Sequence, residues 1–472
     1  MRVKQDTQAQ LEFQPPFGAR VTREYFERFA RIDERLDRNS EILAAVHGDL
    51  ERPLAHLAKA RRGRRGKFTS DTVLRMLLVK VIESLSFREA VRRIDDSPRF
   101  RAFTRLHNDP MMDFSTLCML ANAIRPETWA AANVLLAKAA VAEGKICGDE
   151  LRMDTTAVET NVHYPTDSHL LWDVYRVVAR IVRRLRDAVP SLVSEKRLHE
   201  RAAKRLHTRI GRASSRKTEE GRREKERLYG RQIKLVDGIL AWLPSLCERV
   251  RREGPRHTLS MMEALALPGL VAQLQHYRGL GLRAVDQARR RVLEGEQVPN
   301  DEKIFSIHEP HTELLIRGKA GKDVEFGHMV SIHQVRGSFI TDYRVFEKRP
   351  ADYTIVDSAL ARHGELFGAL PKVLAADKGF WESPEKTKAL AQSIACVSIG
   401  KKGNRTEEER AHEHSLAFRM AQKFRAGVEG SISFLKLVLG LWRCMNKGWK
   451  HFAATVGATV LAHNLIVLAR SG

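Results

Sequence analysis

At 472 residues the chain is too long for one typical domain and long enough to bury sizeable cores without disulfide staples, so two or three folded units are expected. Lys and Arg (81) outnumber Asp and Glu (58), a net charge of +23 that favours a polyanionic partner, because phosphate neutralisation with counterion release dominates such binding. Five scattered cysteines (Cys118, Cys147, Cys247, Cys396, Cys444) lack metal-type spacing, which argues against a zinc finger and suits reduced thiols in a cytoplasmic protein.

The N-terminal part, residues 1–142, reads as helical. Thr69 or Ser70 caps a helix whose apolar side carries Val73, Leu74, Leu77, Leu78 and Val81. A second begins at Ser86 with Phe87, Ala90, Val91 and Ile94, and a third near Asp113 or Ser115 with Leu117, Leu120, Ala121 and Ile124. Short helices in succession suit either a helix-turn-helix unit or a plain bundle. The basic tract Arg61-Arg62-Gly63-Arg64-Arg65-Gly66-Lys67 before them is read either as a solvated linker or as a backbone contact to nucleic acid.

Residues 143–171 change character. Ile146 to Val158 is strand-like and Asn161 to Asp167 a loop in which His163 and Tyr164 stand out. Helical signals return over 172–302 with a very basic front half: between Arg176 and Lys234 there are 20 Lys and Arg against 7 Asp and Glu, a net +13. Leu235, Ile239, Leu243 and Leu246 form an apolar stripe that Pro244 should kink or end. This segment is either a solvated helical hairpin or a clamp or dimerisation arm.

Over 303–472, strands are expected at Ile304–Ile307, Leu314–Ile316, Met329–His333 and Phe339–Phe346, with Arg336-Gly337 as a hairpin connection. A helix with Ile355, Leu360 and Ala361, a strand over Lys372–Ala376, a helix opened by Ser383-Pro384 and a strand over Ala395–Ile399 come next; Glu407 to Ala469 is helical. Phe452 to Leu468 is apolar but interrupted by His463 and Asn464, so a packed helix and no membrane segment is expected; Met1 to Pro16 lacks the apolar core of a signal peptide. The order of elements indicates an α+β or mixed α/β core.

Three acids stand at telling places. Asp154 follows Leu151-Arg152-Met153, Asp377 follows Val373-Leu374-Ala375-Ala376, and Glu429 lies in a helical stretch with Arg425 four residues before it and Lys436 seven after. Carboxylates presented by two strand ends and a helix can hold two divalent ions for phosphodiester chemistry, and oxygen ligands suit Mg²⁺. Each acid alone also has a plain reading: Asp377-Lys378-Gly379-Phe380 as a turn with Gly379 at positive φ, and Arg425, Glu429 and Lys436 as a surface ion-pair row along nearly one helix face. Gly427 and Gly430 weaken the helix reading there.

The blocks around these acids carry a resemblance. Met153-Asp154-Thr155-Thr156-Ala157-Val158-Glu159-Thr160-Asn161-Val162-His163-Tyr164-Pro165-Thr166-Asp167-Ser168, then Glu325-Phe326-Gly327-His328, then Ala376-Asp377-Lys378-Gly379-Phe380, then Phe424 to Ser433 and on to Cys444 resemble bacterial insertion-sequence transposases of the DDE type, most closely the ISNCY-like group. The resemblance implies a ribonuclease-H-like α/β catalytic core with an N-terminal helical DNA-binding domain and a basic helical insertion between its first and second core strands. It implies Asp154, Asp377 and Glu429 as a catalytic triad binding Mg²⁺, with Mn²⁺ as a substitute. Double-stranded DNA (element ends and target) would be the partner, contacted by Arg425 and Lys436, and the active assembly a homodimer or larger, in the cytoplasm on the nucleoid. The third block fits a family pattern in which tyrosine precedes the arginine; Gln422 stands there instead. Trp381 is read either as a stacking platform for an unpaired base or as a packed aromatic, His163 and Tyr164 either as DNA contacts near the metals or as part of a structural loop, and Arg61, Arg62, Arg64 and Arg65 as candidate DNA contacts. A structure-selective nuclease, a non-catalytic DNA-binding regulator and a basic RNA-binding scaffold are the alternatives.

Overall fold

A computed structural model describes residues 4, 19–55, 68–193, 196–254, 261–319 and 322–470. Its chain divides into two compact units, one made of residues 1–160 and 327–472 and the other of residues 161–326. The second unit is therefore wider at both ends than the helical insertion expected over 172–302. The tract from Arg61 to Lys67, with Arg61, Arg62, Arg64 and Arg65, lies outside the described residues.

Among the described residues the first unit has seven helices between Arg20 and Ala142. Their starts follow local chemistry. The Thr69 hydroxyl accepts from the Thr72 N–H, Ser86 and Glu89 form a reciprocal capping box, and Asp113 accepts from the Ser115 N–H. The helix Ser70–Ile82 is buried along nearly its whole length, and at its centre sits a fully buried guanidinium. Arg75 donates to Asp71 at 2.7 Å and to Asp37 at 2.6 Å, and pairs with Asp33; Arg105 reaches Asp33 and Asp37 from the other side. A buried cation is tolerated here because its partners surround it. The network ties the Arg20–Arg38 helix to the Ser70–Ile82 helix, beside edge-on contacts of Phe29 with Phe100 and Phe103.

These helices share one apolar core with the last helix, Trp449–Arg470. That helix is the only one among the described residues long and apolar enough to cross a membrane, and it is buried inside this unit. Asn464 explains the polar interruption: its amide accepts from the Ile340 N–H at 3.0 Å and donates to the Ile340 carbonyl at 2.8 Å, satisfying a strand edge inside the core.

The strands are β1 (Glu150–Thr160), β2 (Glu313–Lys319), β3 (Lys322–Gln334), β4 (Ile340–Val345), β5 (Val373–Ala376), β6 (Cys396–Ile399) and β7 (Arg443–Cys444). β1 is central. It pairs antiparallel with β3 and parallel with β5; β4 pairs antiparallel with β3, and β6 parallel with β5. The β3–β4 connection is a short turn over Arg336–Ser338 with Gly337 at φ 82°. Gly327 of β3 lies opposite Glu159, so close that a side chain there would strike the Val158 carbonyl. On one face of the sheet Leu151, Met153, Leu374 and Val397 pack with Ile355, Val356 and Leu360 at the start of the helix Val356–Phe367. On the other, Val158, Val330 and Ile332 join the larger core. β7 was not foreseen within the helical C-terminal region: two residues pair with the end of β1, with Arg443 bonded to Glu159 at 2.7 Å.

The second unit is mostly helical, with its own core. Asp167–Ala188, Glu200–Ser214, Glu219–Leu240, Leu243–Glu253 and Met261–Ala288 bury one face each, including Val174, Val178, Ile233, Val236 and Leu274. Pro244 acts as expected: one helix ends at Leu240 and the next begins at Leu243 with the proline in its first turn. The strand expected at Ile304–Ile307 is corrected to an irregular segment. Ile304 and Ile307 are buried, but the Ile304 N–H is satisfied by the Gln287 side chain at 2.7 Å and not by a neighbouring strand. A short apolar run reports burial, and the hydrogen-bond partner decides whether the segment is a strand.

Replacing Arg75 by alanine leaves Asp71, itself buried, without its hydrogen-bonded cation and with only Arg105, 3.9 Å away, to offset its charge. Such a loss costs about 3–5 kcal/mol. Chemical denaturation should show a fall of that size for Arg75→Ala, and a loss below about 1 kcal/mol would mean that the network adds no more than an exposed ion pair.

Candidate active site

The site grows out of the register of β1 and β5. Arg152 stands opposite Ala375; two residues further on come Asp154, within β1, and Asp377, just past the end of β5. Alternation sends Leu151 and Met153 into the apolar layer on one face and leaves Arg152 and Asp154 on the opposite face. That face is met by the helix Leu416–Ser433, which carries Glu429.

Two contacts seat the helix. Arg152, mostly buried, donates to the Phe424 carbonyl at 2.7 Å and to Gln334 at 2.8 Å, and its guanidinium lies over the Phe424 ring. Burial and the neighbouring Arg336 pull Arg152 down to about 10, so it stays charged at neutral pH. Gly427 is the price of this approach: a Cβ there would lie 2.1 Å from Arg152 Nη1. The second contact is Gln422, whose amide donates to the carbonyls of Ser398 at 2.7 Å and Ala376 at 3.2 Å. The glutamine that departs from the family pattern thus hooks the helix to the ends of β5 and β6. No contact of this kind accounts for Gly430.

At the centre, Arg425 forks between two acids. Its Nη1 lies 3.5 Å from Asp154 Oδ2 and its Nη2 3.4 Å from Glu429 Oε1. Asp154 is half-buried and takes the Thr155 N–H at 2.7 Å. Its carboxyl is raised, first by burial, and also by the negative charges of Asp377 and Glu429, against the Thr155 hydrogen bond and Arg425. All three acids therefore act within one electrostatic site. Asp377 caps the short turn Lys378–Phe380, accepting from the Gly379 N–H.

Gly379 is corrected: among the described glycines its φ is not positive. Its role is space. A Cβ there would meet Asp377 Oδ1 at 2.7 Å and Asp352 Oδ2 at 2.9 Å. That second oxygen belongs to a residue the sequence did not mark. Asp352 opens the turn before the Val356–Phe367 helix, bonds the Thr155 side chain and feels the charge of Asp377. Burial above all, then Asp377, raises its carboxyl against Arg349 and Lys402. In the sequence it resembles any acid ahead of a helix. Lys402 also reaches the Gly379 carbonyl at 3.0 Å.

The other expected site residues are placed as follows. Lys436 lies in the π-helical turn Phe434–Val438, so the α-helical spacing that set it on one face with Glu429 ends at Ser433. Trp381 is half-buried and packs against the apolar layer under the sheet with Phe346 and Leu390, the packed-aromatic reading. His163 and Tyr164 belong to the second unit.

The donors gathered here are carboxylate oxygens with no nitrogen or sulfur among them, partly open to solvent and mutually repelling. Oxygen donors of this kind would suit a hard divalent cation such as Mg²⁺, and Asp154, Asp377 and Glu429, with Asp352 alongside, are the residues that could hold one.

Residues 24–122 match a family model described as Transposase domain (DUF772). No curated protein and no solved structure matches the chain. The matched stretch supports a transposase role and, with it, binding to DNA. It covers the N-terminal helices and not the sheet that bears the acids.

The Arg152–Gly427 contact is testable by a double-mutant cycle. Gly427→Ala should cost about 1–3 kcal/mol through overpacking and much less in an Arg152→Ala background; equal costs in both backgrounds would show that the glycine is not there to admit the guanidinium.

Proposed function

We propose that this chain is a DNA transposase of the DDE type, carrying out Mg²⁺-dependent cleavage and strand transfer at the ends of an insertion sequence. One observation carries the reading: acids from far-apart stretches of the chain meet at the Arg425 guanidinium, in a chain whose N-terminal helices match a transposase domain. The sheet supports it, since β4, β3 and β1 run antiparallel in that order and β5 and β6 follow parallel to β1, as a ribonuclease-H-like core expects.

Asp154, Asp377 and Glu429 would hold Mg²⁺, with Mn²⁺ able to substitute. When bound, the ions supply an activated attacking oxygen and neutralise charge on the leaving oxygen. The protein's own part is positional. The Thr155 and Gly379 N–H groups orient the two aspartates, and Asp352 braces the same spot through Thr155. Arg425 balances the acids and, with Lys402 and Lys436, offers positive charge to DNA phosphates. The N-terminal helices bind the element's terminal DNA. Two paired ends call for a homodimer or larger assembly on double-stranded DNA, formed in the bacterial cytoplasm on the nucleoid.

Purified protein incubated with a plasmid carrying the gene's native flanks should cut and join at those flanks only when Mg²⁺ or Mn²⁺ is present. Asp154→Asn, Asp377→Asn and Glu429→Gln should each abolish both steps while end binding persists. Cleavage without joined products would point to a nuclease, and binding without cleavage to a regulator; either result overturns the transposase reading. Asp352→Asn should lower the apparent metal affinity about 10- to 100-fold, as loss of a supporting group does; an unchanged metal titration would remove Asp352 from the site.

A further inference from the structure

The second unit holds a different donor set from the first, nitrogen-rich and built at the start of its first long helix. We propose that His163, His169 and Asp173 form a binding site for a divalent transition-metal ion, Zn²⁺ being the best match, separate in chemistry from the carboxylate site. The proposal does not depend on the transposase reading.

The local sequence assembles the site. Thr166 caps the helix Asp167–Ala188, its hydroxyl accepting from the His169 N–H. His169 and Asp173 are four residues apart, so both project from one face of the first turns. The loop before the cap brings His163 back over them, and the two imidazoles stack with centroids 3.6 Å apart. Both rings turn Nε2 toward the same carboxylate oxygen. His163 Nε2 lies 3.9 Å and His169 Nε2 3.8 Å from Asp173 Oδ2. One ligand atom from each of the three residues falls within 4.8 Å of the others.

Those spacings decide between two readings. A hydrogen-bonded His–Asp cluster closes to about 2.7–3.2 Å, and neither imidazole does so. Ligands on a tetrahedral Zn²⁺ with bonds of about 2.0–2.2 Å stand roughly 3.3–3.5 Å apart. The two His–Asp spacings exceed that by a fraction of an ångström, and with all three ligand atoms within 4.8 Å of one another, side-chain rotation would close the set on an ion. Imidazole nitrogens with one carboxylate favour zinc and its neighbours over Mg²⁺.

The surroundings are those of a held ligand set. Asp173 is 2% exposed, and its other oxygen accepts from Arg176 at 2.6 Å, which fixes the carboxylate plane. Beside His169, Ser168 is tied by its hydroxyl to Gln232 at 2.9 Å and lies 3.0 Å from His207 Nδ1, whose ring meets His169 edge-on at 4.9 Å. The helices Glu200–Ser214 and Glu219–Leu240 thereby brace the turn that carries the ligands. The ion would pin the loop 161–166 to this helical body.

The test is equilibrium dialysis of the chelator-stripped full chain against Zn²⁺ alone, in excess Mg²⁺. One tightly bound equivalent is expected, with Co²⁺ in its place giving the visible absorption of a low-coordinate nitrogen and oxygen site. His163→Gln, at a half-exposed loop position that should not disturb folding, should weaken binding at least about 100-fold, the upper range for loss of a mere supporting group. His169→Gln should do the same, and Asp377→Asn, in the carboxylate site, should leave Zn²⁺ binding intact. No tight equivalent, or the same affinity in both histidine variants, or loss only in Asp377→Asn, overturns the proposal.

Discussion

The pairing of β1 on both of its edges is the constraint on which the carboxylate site depends. β3 holds one edge antiparallel and β5 the other in parallel, so the position of Asp154 along the strand sets where Asp377 arrives. A slip of one residue would turn Asp154 into the apolar layer beneath the sheet and bring Met153 out in its place. Leu151 and Met153 guard against that slip by being fully buried on the face where they belong. The register is therefore protected by hydrophobic burial, and the acids, which repel one another, are carried to their places by it.

The helix bearing Glu429 is held by a different kind of force. Arg152 and Gln422 bond to backbone carbonyls of the helix and of the sheet, respectively. Directional hydrogen bonds of this sort fix the angle of an element that apolar packing alone would leave free to slide. The cost is a glycine at 427 in mid-helix. Arg425 then offsets the repulsion between Asp154 and Glu429, so the site is balanced by a cation drawn from the same helix as one of its acids. Repulsion within the site is thus tolerated because hydrogen bonds and packing outside it have set the geometry already.

Much of the local structure was legible in the residues. Thr69, Ser86, Asp113 and the Ser383-Pro384 pair mark helix starts because a side-chain oxygen must satisfy free N–H groups there, a need that acts within a few residues. Arg336-Gly337 marks its turn because glycine takes a positive φ, here 82°, without strain. Non-local bonding escaped. Ile304 to Ile307 looked like a strand because its pattern reports burial, whereas Gln287 supplies the bond a neighbouring strand would have made. β7 went unseen because two residues carry no period. Asp352 was invisible because its closeness to Asp377 is a product of the fold, and Gly379 was assigned the wrong reason because the two carboxylates crowding it come from separate segments.

The sequence by itself determined the types and starts of most elements, the basic character of residues 176–234 and the three acids worth watching, because capping, periodicity and charge are written in neighbouring residues. Tertiary structure decided the rest. It set the register that joins Asp154 to Asp377, the Arg152 and Gln422 hooks that seat Glu429, and the place of Asp352. Each of these rests on contacts between segments whose spacing in the chain says nothing of their distance in space, and only burial of the shared cores brings them together.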